Sequence, residues 1–547
     1  MPHLLNLPVE LLTYIMGMLV TSIGPSHIHT MLLVCKYFYE IALPLSVHVF
    51  RNTAPLSVGT GDCSERRNAQ FLRYILIDKP ELARLVKVIV IGNARSRRGS
   101  RELGTDATTV STPKELDIYE QRTRDVLQPV SQYNEFAMLR ETLIEDLRRG
   151  FSEAQLSLIM LFCRHVRTLY FEQEDPICNL PLVMTFGAHL HTLHYVDLQP
   201  APFSNVKEVY CEPGSKKSGQ IMWECAKTLM TLPRLRVYEA MLGDCSRVGG
   251  PFPRVPPRSS PVREIILNQS NVRPEMLNTL LQACTAVEKF ELSKFVHDNK
   301  CASMCVCVRG GPGYQTASVF SFVSARQVLR SLLPHRDTLT HLRLIMHDQR
   351  AKSMRTDLQW VVHMGTQLRE MTALQTLEVE MESLTANHKS PVPADCPKLV
   401  DCLPRSLVKL QIQNCNALTV EPALELLGAV ERGDTFTQLR QIRLVFDLDS
   451  VIAKDLGLVL NSPDTTLAVL FQSRETNIFA LGPAVNTPNR KMPALCSRVY
   501  AEDIRGRWLE LRGAASRRDL NSRDPNRLIH PPTMSSRYRD EAVEYLV

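Results

Sequence analysis

No stretch of this 547-residue chain stays apolar for the ~18 residues that a bilayer-spanning helix needs, so a transmembrane protein is not expected. Leu11 to Val20 has the length of a signal-peptide core, but no basic segment precedes it, Pro8 and Glu10 adjoin it, and no small-residue cleavage site follows. Glycine (24) is outnumbered by proline (34), which points to rigid turns rather than flexible linkers. Aromatics make up only 6% and the positive excess is only +7, with the basic residues of the loops and tail interleaved with acids, so a base-stacking nucleic-acid surface is not expected. Cysteine is not lacking, but its count of 15 is odd and its spacing irregular. That excludes an ordinary disulfide framework and implies reduced thiols, as in the cytoplasm or nucleus.

Catalytic signatures are missing too. There is no His-Glu-x-x-His zinc helix, no Gly-x-Ser-x-Gly nucleophile elbow and no Gly-x-Gly-x-x-Gly dinucleotide turn. Gly214 to Gly219 reads Gly-Ser-Lys-Lys-Ser-Gly, yet Gln220 stands where a phosphate loop needs its lysine. His297, Cys301, Cys305 and Cys307 lack the paired-knuckle spacing of structural zinc, and His189, His191 and His194 alternate with apolar residues like the outward face of a strand. No enzyme activity, metal or cofactor is expected.

What is present falls into three parts: residues 1–50, 51–480 and 481–547. In the first, Leu7, Leu11, Leu12, Ile15 and Leu19 recur at helical spacing behind Pro8 and Glu10, which suit a helix start. Thr21 to Ser26, with Gly24 and Pro25, reads as a break. Apolar periodicity then runs from Ile28 to Ala42, and Pro44 is expected to stop it. Val34, Cys35, Phe38, Tyr39, Ile41 and Ala42 spread nearly around that helix, too much apolar surface for so small a module to bury alone. A partner is implied.

In the long middle part, helical segments alternate with short strands carrying apolar residues at i, i+3 and i+5. The triplets read Leu85/Val88/Val90, Val166/Leu169/Phe171, Leu193/Val196/Leu198, Val206/Val209/Cys211, Leu232/Leu235/Val237, Val262/Ile265/Leu267, Val287/Phe290/Leu292, Leu339/Leu342/Leu344, Leu374/Leu377/Val379, Leu407/Leu410/Ile412 and Leu439/Ile442/Leu444. The last positions Val379, Ile412 and Leu444 stand 33 and 32 residues apart, and Leu407 to Cys415 fits the leucine-rich pattern L-x-x-L-x-L-x-x-C. An α/β fold is expected: a small all-helical module, then a curved leucine-rich-repeat-like solenoid with a parallel sheet and helices outside it. An α/β domain with a central parallel sheet is the alternative. Asn93 to Pro113, Gly243 to Pro261 and Arg309 to Ser318 read as loops. The Arg-rich tail is expected to be partly disordered, with one amphipathic helix around Ile504, Trp508 and Leu511.

The N-terminal residues Leu7-Pro8-x-Glu10-Leu11-Leu12-x-x-Ile15-x-x-x-Leu19, followed by Leu33-Val34-Cys35-Lys36-x-Phe38, resemble the F-box family. The stretch Phe71-Leu72-x-x-Ile75-Leu76-x-x-x-Pro80-Glu81-Leu82-Ala83-x-Leu85-Val86-Lys87 resembles the start of the repeat domain in fungal-type F-box proteins with leucine-rich repeats. The resemblance implies that the module docks on a Skp-type adaptor, and through it a cullin and a RING subunit, in a ubiquitin ligase. By motif position, Leu7, Pro8, Leu11, Leu12, Ile15, Val34, Cys35, Lys36 and Phe38 would form or support the adaptor surface. The repeat domain would hold a protein substrate. Without ubiquitin delivery, the chain would instead be an interaction scaffold.

The residue between the last two apolar positions of each triplet should face away from the helices. Those residues are Tyr170, Asp197, Tyr210, Arg236, Ile266, Glu291, Arg343, Glu378, Gln411 and Arg443. Tyrosine and arginine dominate interface energetics, so Tyr170, Tyr210, Arg236, Arg343 and Arg443 are the candidate substrate contacts. The three arginines point to an acidic or phosphorylated segment.

Overall fold

A computed structural model describes residues 7–23, 26–52, 63–92, 111–128, 134–171, 202–211, 226, 228–244, 255–293, 323–346, 364–384, 398–415, 420–432, 435–446, 468–473, 478–481, 499–502 and 508–511. The chain divides into two compact units. Unit one holds the residues up to Tyr210 with Leu232–Arg234, and unit two holds Cys211–Thr231 and the residues from Leu235 to Ala514.

Unit one opens with three helices, α1 (Val9–Ile23), α2 (Ser26–Leu32) and α3 (Lys36–His48). Two features depart from the sequence expectation. The helix expected over 28–42 is broken at Leu33–Cys35, where the Leu33 and Val34 amides return to the Thr30 and Met31 carbonyls and Cys35 is extended. No Gly or Pro marks that corner, and the cysteine contributes no side-chain cap. Pro44 lies inside α3 rather than ending it. An interior proline costs ~3 kcal/mol, but the turn it would abolish carries Leu45 and Val47, both packed inward, and burying two such side chains offsets that cost.

The three helices share one core of Leu12, Met16, Ile28, Phe38, Ile41 and Ala42, flanked by Leu7, Met31, Leu32, Tyr37 and Leu45. Behind α3 the chain passes directly into β1 (Val49–Arg51), and the Tyr39 hydroxyl accepts a 2.7 Å hydrogen bond from Lys79 Nζ. The module is therefore built onto the segment that follows it.

α4 (Cys63–Arg73) leads through a wide turn (Tyr74–Asp78) and a tight one (Pro80–Leu85) into β2 (Val88–Ile91). α5 (Pro113–Leu127), α6 (Asn134–Arg148) and α7 (Ser152–Phe162) precede β3 (Thr168–Phe171), and β4 (Glu208–Cys211) follows. Thr112 and Glu115 cap α5 reciprocally, with Pro113 in its first turn. β1, β2 and β3 are parallel, with Val49↔Val88↔Thr168 in register, and Lys207 and Glu208 amides on the Arg167 carbonyl carry the pattern to β4.

The core frame of β2 is Val86, Ile89 and Ile91, one residue on from Leu85/Val88/Val90, of which only Val90 is buried, in a separate cluster with Tyr170 and Tyr210. The run from Leu85 to Ile91 is apolar except at Lys87, so it fits two registers, and a one-residue slip exchanges the faces. Glu120 of α5 is buried and takes a two-pronged bond from Arg148 of α6, at 2.6 and 2.9 Å, and a third at 3.2 Å from Arg124. Glu120→Ala strips two guanidinium groups of their acceptor. Its urea midpoint should fall by an amount equivalent to about 2 kcal/mol.

Unit two continues with β5 (Val237–Asp244), β6 (Glu264–Asn271), α8 (Pro274–Ala283), β7 (Lys289–Ser293), α9 (Ala325–Leu332), β8 (His341–Ile345), β9 (Thr376–Glu380), β10 (Lys409–Cys415), α10 (Val420–Glu431) and β11 (Gln441–Phe446). β12 (Ala468–Ser473) and β13 (Ile478–Leu481) close the order. Each strand pairs with the next in sequence, in parallel from β5 to β12 and antiparallel from β12 to β13. A doubly wound sheet reverses strand order at a switch point. Here sequence neighbours are space neighbours, a mixed α/β arrangement compatible with a stacked solenoid.

Val379, Ile412 and Leu444 are direct register partners, so the 33- and 32-residue spacing is the repeat step itself. At β5 the triplet is Leu235/Tyr238/Ala240, each fully buried, rather than Leu232/Leu235/Val237. Tyr and Ala fill positions that Leu and Val hold elsewhere, which hid the frame. In the tail, β14 (Val499–Glu502) and β15 (Trp508–Leu511) form an antiparallel pair, not the expected amphipathic helix.

His48, at the end of α3, is held down to about 4 from an ordinary 6.5, by burial first and then by the charges of Lys87 and Arg167. Burial also lowers His335, whose Nδ1 accepts from the Val287 amide and whose Nε2 therefore donates to the Leu281 carbonyl. Both folded values lie below the unfolded one. The stabilising contribution of His48 is present above pH 6.5 and is lost as pH falls toward 4, when the unfolded chain takes up a proton that the folded chain refuses, and His335 acts in the same direction. For His48 alone the loss is about 3 kcal/mol by linkage. Urea titrations at pH 7, 5.5 and 4.5 should show this decline, and His48→Asn should flatten it.

Candidate interaction surfaces

The motif residues of the helical module divide into two sets. Leu12 (1% exposed) and Phe38 (6%) belong to the module core, and Leu7 packs on it from the α1 end. Ile15 is half-buried, whereas Pro8, Cys35 and Lys36 are exposed. Leu11 is 50% exposed, Val34 58% and, beside it, Leu33 87%. Val9 (49%) adds to this set, though no motif position marked it. The alternation is mechanical: Leu11 and Leu12 are about 100° apart on α1, so one faces the core and the other cannot. Leu33 and Val34 are displayed because the α2–α3 corner takes them out of any helix. Lys36 at the start of α3 pairs only loosely, at 4.0 Å, with Glu40. Large apolar side chains left outside a closed core are the mark of a surface that meets a partner.

The second surface is the sheet face away from the helices. Register places Ile266, Glu291, Arg343, Glu378, Gln411 and Arg443 in one transverse row, as the triplet frame required. Glu239 occupies that row on β5 (Glu239↔Ile266). Arg236 precedes β5 and is exposed there, outside the row, which corrects its assignment and follows from the misread β5 frame.

Within the row, Arg343 lies between carboxylates, 3.5 Å from Glu291 and 3.2 Å from Glu378. Glu291 also takes Lys289 at 3.0 Å and faces His341 at 3.6 Å, while Gln411 and Gln413 both donate to Glu378. Burial works to raise the Glu291 carboxyl, but the hydrogen bond and charge of Lys289, with Arg343 and His341 behind it, hold it below the ordinary range. Burial drives His341 down despite Glu291, leaving it neutral at pH 7. Arg343 is thus already matched by two carboxylates. Arg443, half-buried on β11, pairs in register with Gln411.

Tyr170 and Tyr210 stack at 4.5 Å between centroids and pack with Val90 in an apolar cluster, 4% and 7% exposed. Both rings are thus buried in this structure rather than displayed on the open face. β-sheet stacking across neighbouring strands absorbs them instead.

Asp197, the His189/His191/His194 set, the His297 to Cys307 set and the Gly214 to Gly219 loop lie outside the described residues. Among the described residues no group of three or more His, Cys, Asp or Glu could hold a metal, and no helix is long and apolar enough to cross a membrane. Cys163 and Cys284 are buried thiols whose pKa burial pushes up, so neither is poised as a thiolate.

The described fold is thus that of a mixed α/β protein whose parallel strands alternate with helices. Compared with known proteins, the chain matches no family model and no curated protein.

Proposed function

We propose that the chain is the substrate-recognition subunit of a Skp-cullin-F-box type ubiquitin ligase. Its helical module binds the Skp-type adaptor, and the parallel-sheet region, a leucine-rich-repeat-like solenoid, binds a protein substrate. The chain itself is non-catalytic. It contributes proximity, since holding a substrate near activated ubiquitin raises the effective concentration of its lysines.

The observation that carries this reading is the exposure of Leu11, Leu33 and Val34 on a module whose core is already closed by Leu12 and Phe38. Leu11 and Val34 occupy positions where the resemblance places adaptor contacts, and Leu33 adjoins them. Co-purification of the full-length chain with a Skp-type adaptor and a cullin tests it. Absence of both from the purified material, with the chain folded, rejects the reading. Longer substrate half-life in cells lacking the chain separates a ligase receptor from a scaffold.

A further inference from the structure

The residues immediately before the strands of unit one form a pattern that neither surface above uses. The register Val49↔Val88↔Thr168, carried on to Glu208 by the Arg167 carbonyl, aligns His48, Lys87, Arg167 and Lys207 one position ahead. Backbone bonds tie this line together: the Lys87 amide reaches the His48 carbonyl at 2.9 Å, and the Arg167 and Lys207 amides reach the carbonyls of Lys87 and Arg167 at 2.7 Å each. In the preceding turns stand Arg84, Arg164 and His165. Arg234 joins them through Asn205, whose side chain bonds the Arg164 carbonyl and accepts from Arg234 Nη1 at 2.9 Å. The leading ends of β2, β3 and β4 therefore carry the cations Lys87, Arg167 and Lys207, with Arg84, Arg164 and Arg234 in the turns before them and the neutral imidazoles of His48 and His165 among them.

Like charges opposite one another across strands are unfavourable. Lys87 is held down by burial and by Arg167, and His165 by burial and then by Lys87, Arg84, Arg164 and Arg167. Every charge that moves these groups is a cation. Glu208, one position beyond Lys207, accepts from the Thr168 hydroxyl at 3.1 Å. Cations gathered side by side in this way raise the local positive potential and favour an anionic segment beside them.

The geometry selects among anions. From Lys87 to Lys207 is two strand spacings, about 10 Å, the length of roughly three residues of extended polypeptide. A phosphate dianion is gripped by guanidinium groups converging on one point, whereas these charges are strung along a line, suited to several single carboxylates. Single-stranded nucleic acid would need aromatic faces beside the cations, and Tyr170 and Tyr210 are buried against each other.

We infer that this strand-leading edge of unit one docks an Asp/Glu-rich segment of a protein partner. The inference deepens the receptor reading by giving the substrate a chemistry, and rests on that reading for the partner's role as a substrate. Arg84, Lys207 and Arg234 are exposed, and reversal of Arg84 and Lys207 leaves the core untouched.

The test is fluorescence anisotropy of labelled deca-glutamate with the full-length chain, beside labelled deca-uridylate and competition by inorganic phosphate. Expected results are binding to deca-glutamate at 30 mM salt, weakened at least five-fold at 200 mM, and a loss of ten-fold or more in the R84E/K207E double variant with its circular dichroism and adaptor capture unchanged. Equal affinity of the folded double variant overturns the inference. So does tighter binding of deca-uridylate, or displacement of the peptide by millimolar phosphate. A Leu11→Asp/Val34→Asp variant should keep the peptide, so failure of the adaptor reading and failure of this one are told apart.

Discussion

Leu11→Asp combined with Val34→Asp should reduce capture of a Skp-type adaptor by the full-length chain at least a hundred-fold while leaving its melting temperature nearly unchanged. Both side chains are half or more exposed, so neither change buries a charge in the free protein. In the proposed complex each loses about 1.5–3 kcal/mol of apolar burial, and an uncompensated carboxylate is added to a dry contact. Together these reach several kcal/mol, each 1.4 kcal/mol being ten-fold in affinity. Leu12→Asp is the informative contrast. It also abolishes capture, but by placing a charge in the module core beside Met16 and Phe38, and it lowers the melting temperature. Surface-plasmon binding of purified adaptor together with thermal melts distinguishes the two. If the Leu11/Val34 variant binds as tightly as the natural chain, the exposed set is not the adaptor surface.

That contrast also marks what the sequence could disclose about the module. The motif named Leu11 and Leu12 together, but helical geometry allows only one to face inward, and the choice depends on where α2 and α3 lie. The corner at Leu33–Cys35 left no Gly, Pro or capping oxygen to signal it. In unit two the frame was readable because Leu, Ile, Val or Phe recur at each inward position from β6 to β10, and alternation along each strand then assigns Glu291, Arg343, Glu378 and Gln411 to the other face. It failed at β5, where Tyr238 and Ala240 take those positions, and at β2, where a nearly unbroken apolar run admits two registers. Facing could be read from the pattern; partnership could not. Nothing in the spacing said that Arg343 would be matched by Glu291 and Glu378, since those partners come from strands 52 and 35 residues away in the chain. Nor did it say that Tyr170 and Tyr210 would stack on each other. The basic line on unit one was also in the sequence, as a Lys or Arg one residue ahead of β2, β3 and β4, but seeing it requires the register that aligns them.

Phe290→Ala should cost about 3–5 kcal/mol of unfolding free energy, several times the effect of Ala at its neighbour Glu291. Phe290 is fully buried, in register between Ile265 and Leu342, and is among the largest side chains wholly inside the fold. Its removal leaves a cavity in a sheet whose neighbours are fixed by their own ladders and collapse little. Glu291 has two cations, Lys289 and Arg343, within 3.5 Å, but it is only half-buried and faces the open side, so water replaces part of what those partners lose. About 1 kcal/mol is expected there. Because each strand of such a stack leans on the next, the Phe290 cavity should weaken β6 and β8 together, and amide exchange should accelerate on both. Near-equal costs at the two positions would mean that the open face is covered as fully as the helix side, and the sheet would then be the middle layer of a sandwich rather than one wall of a stack.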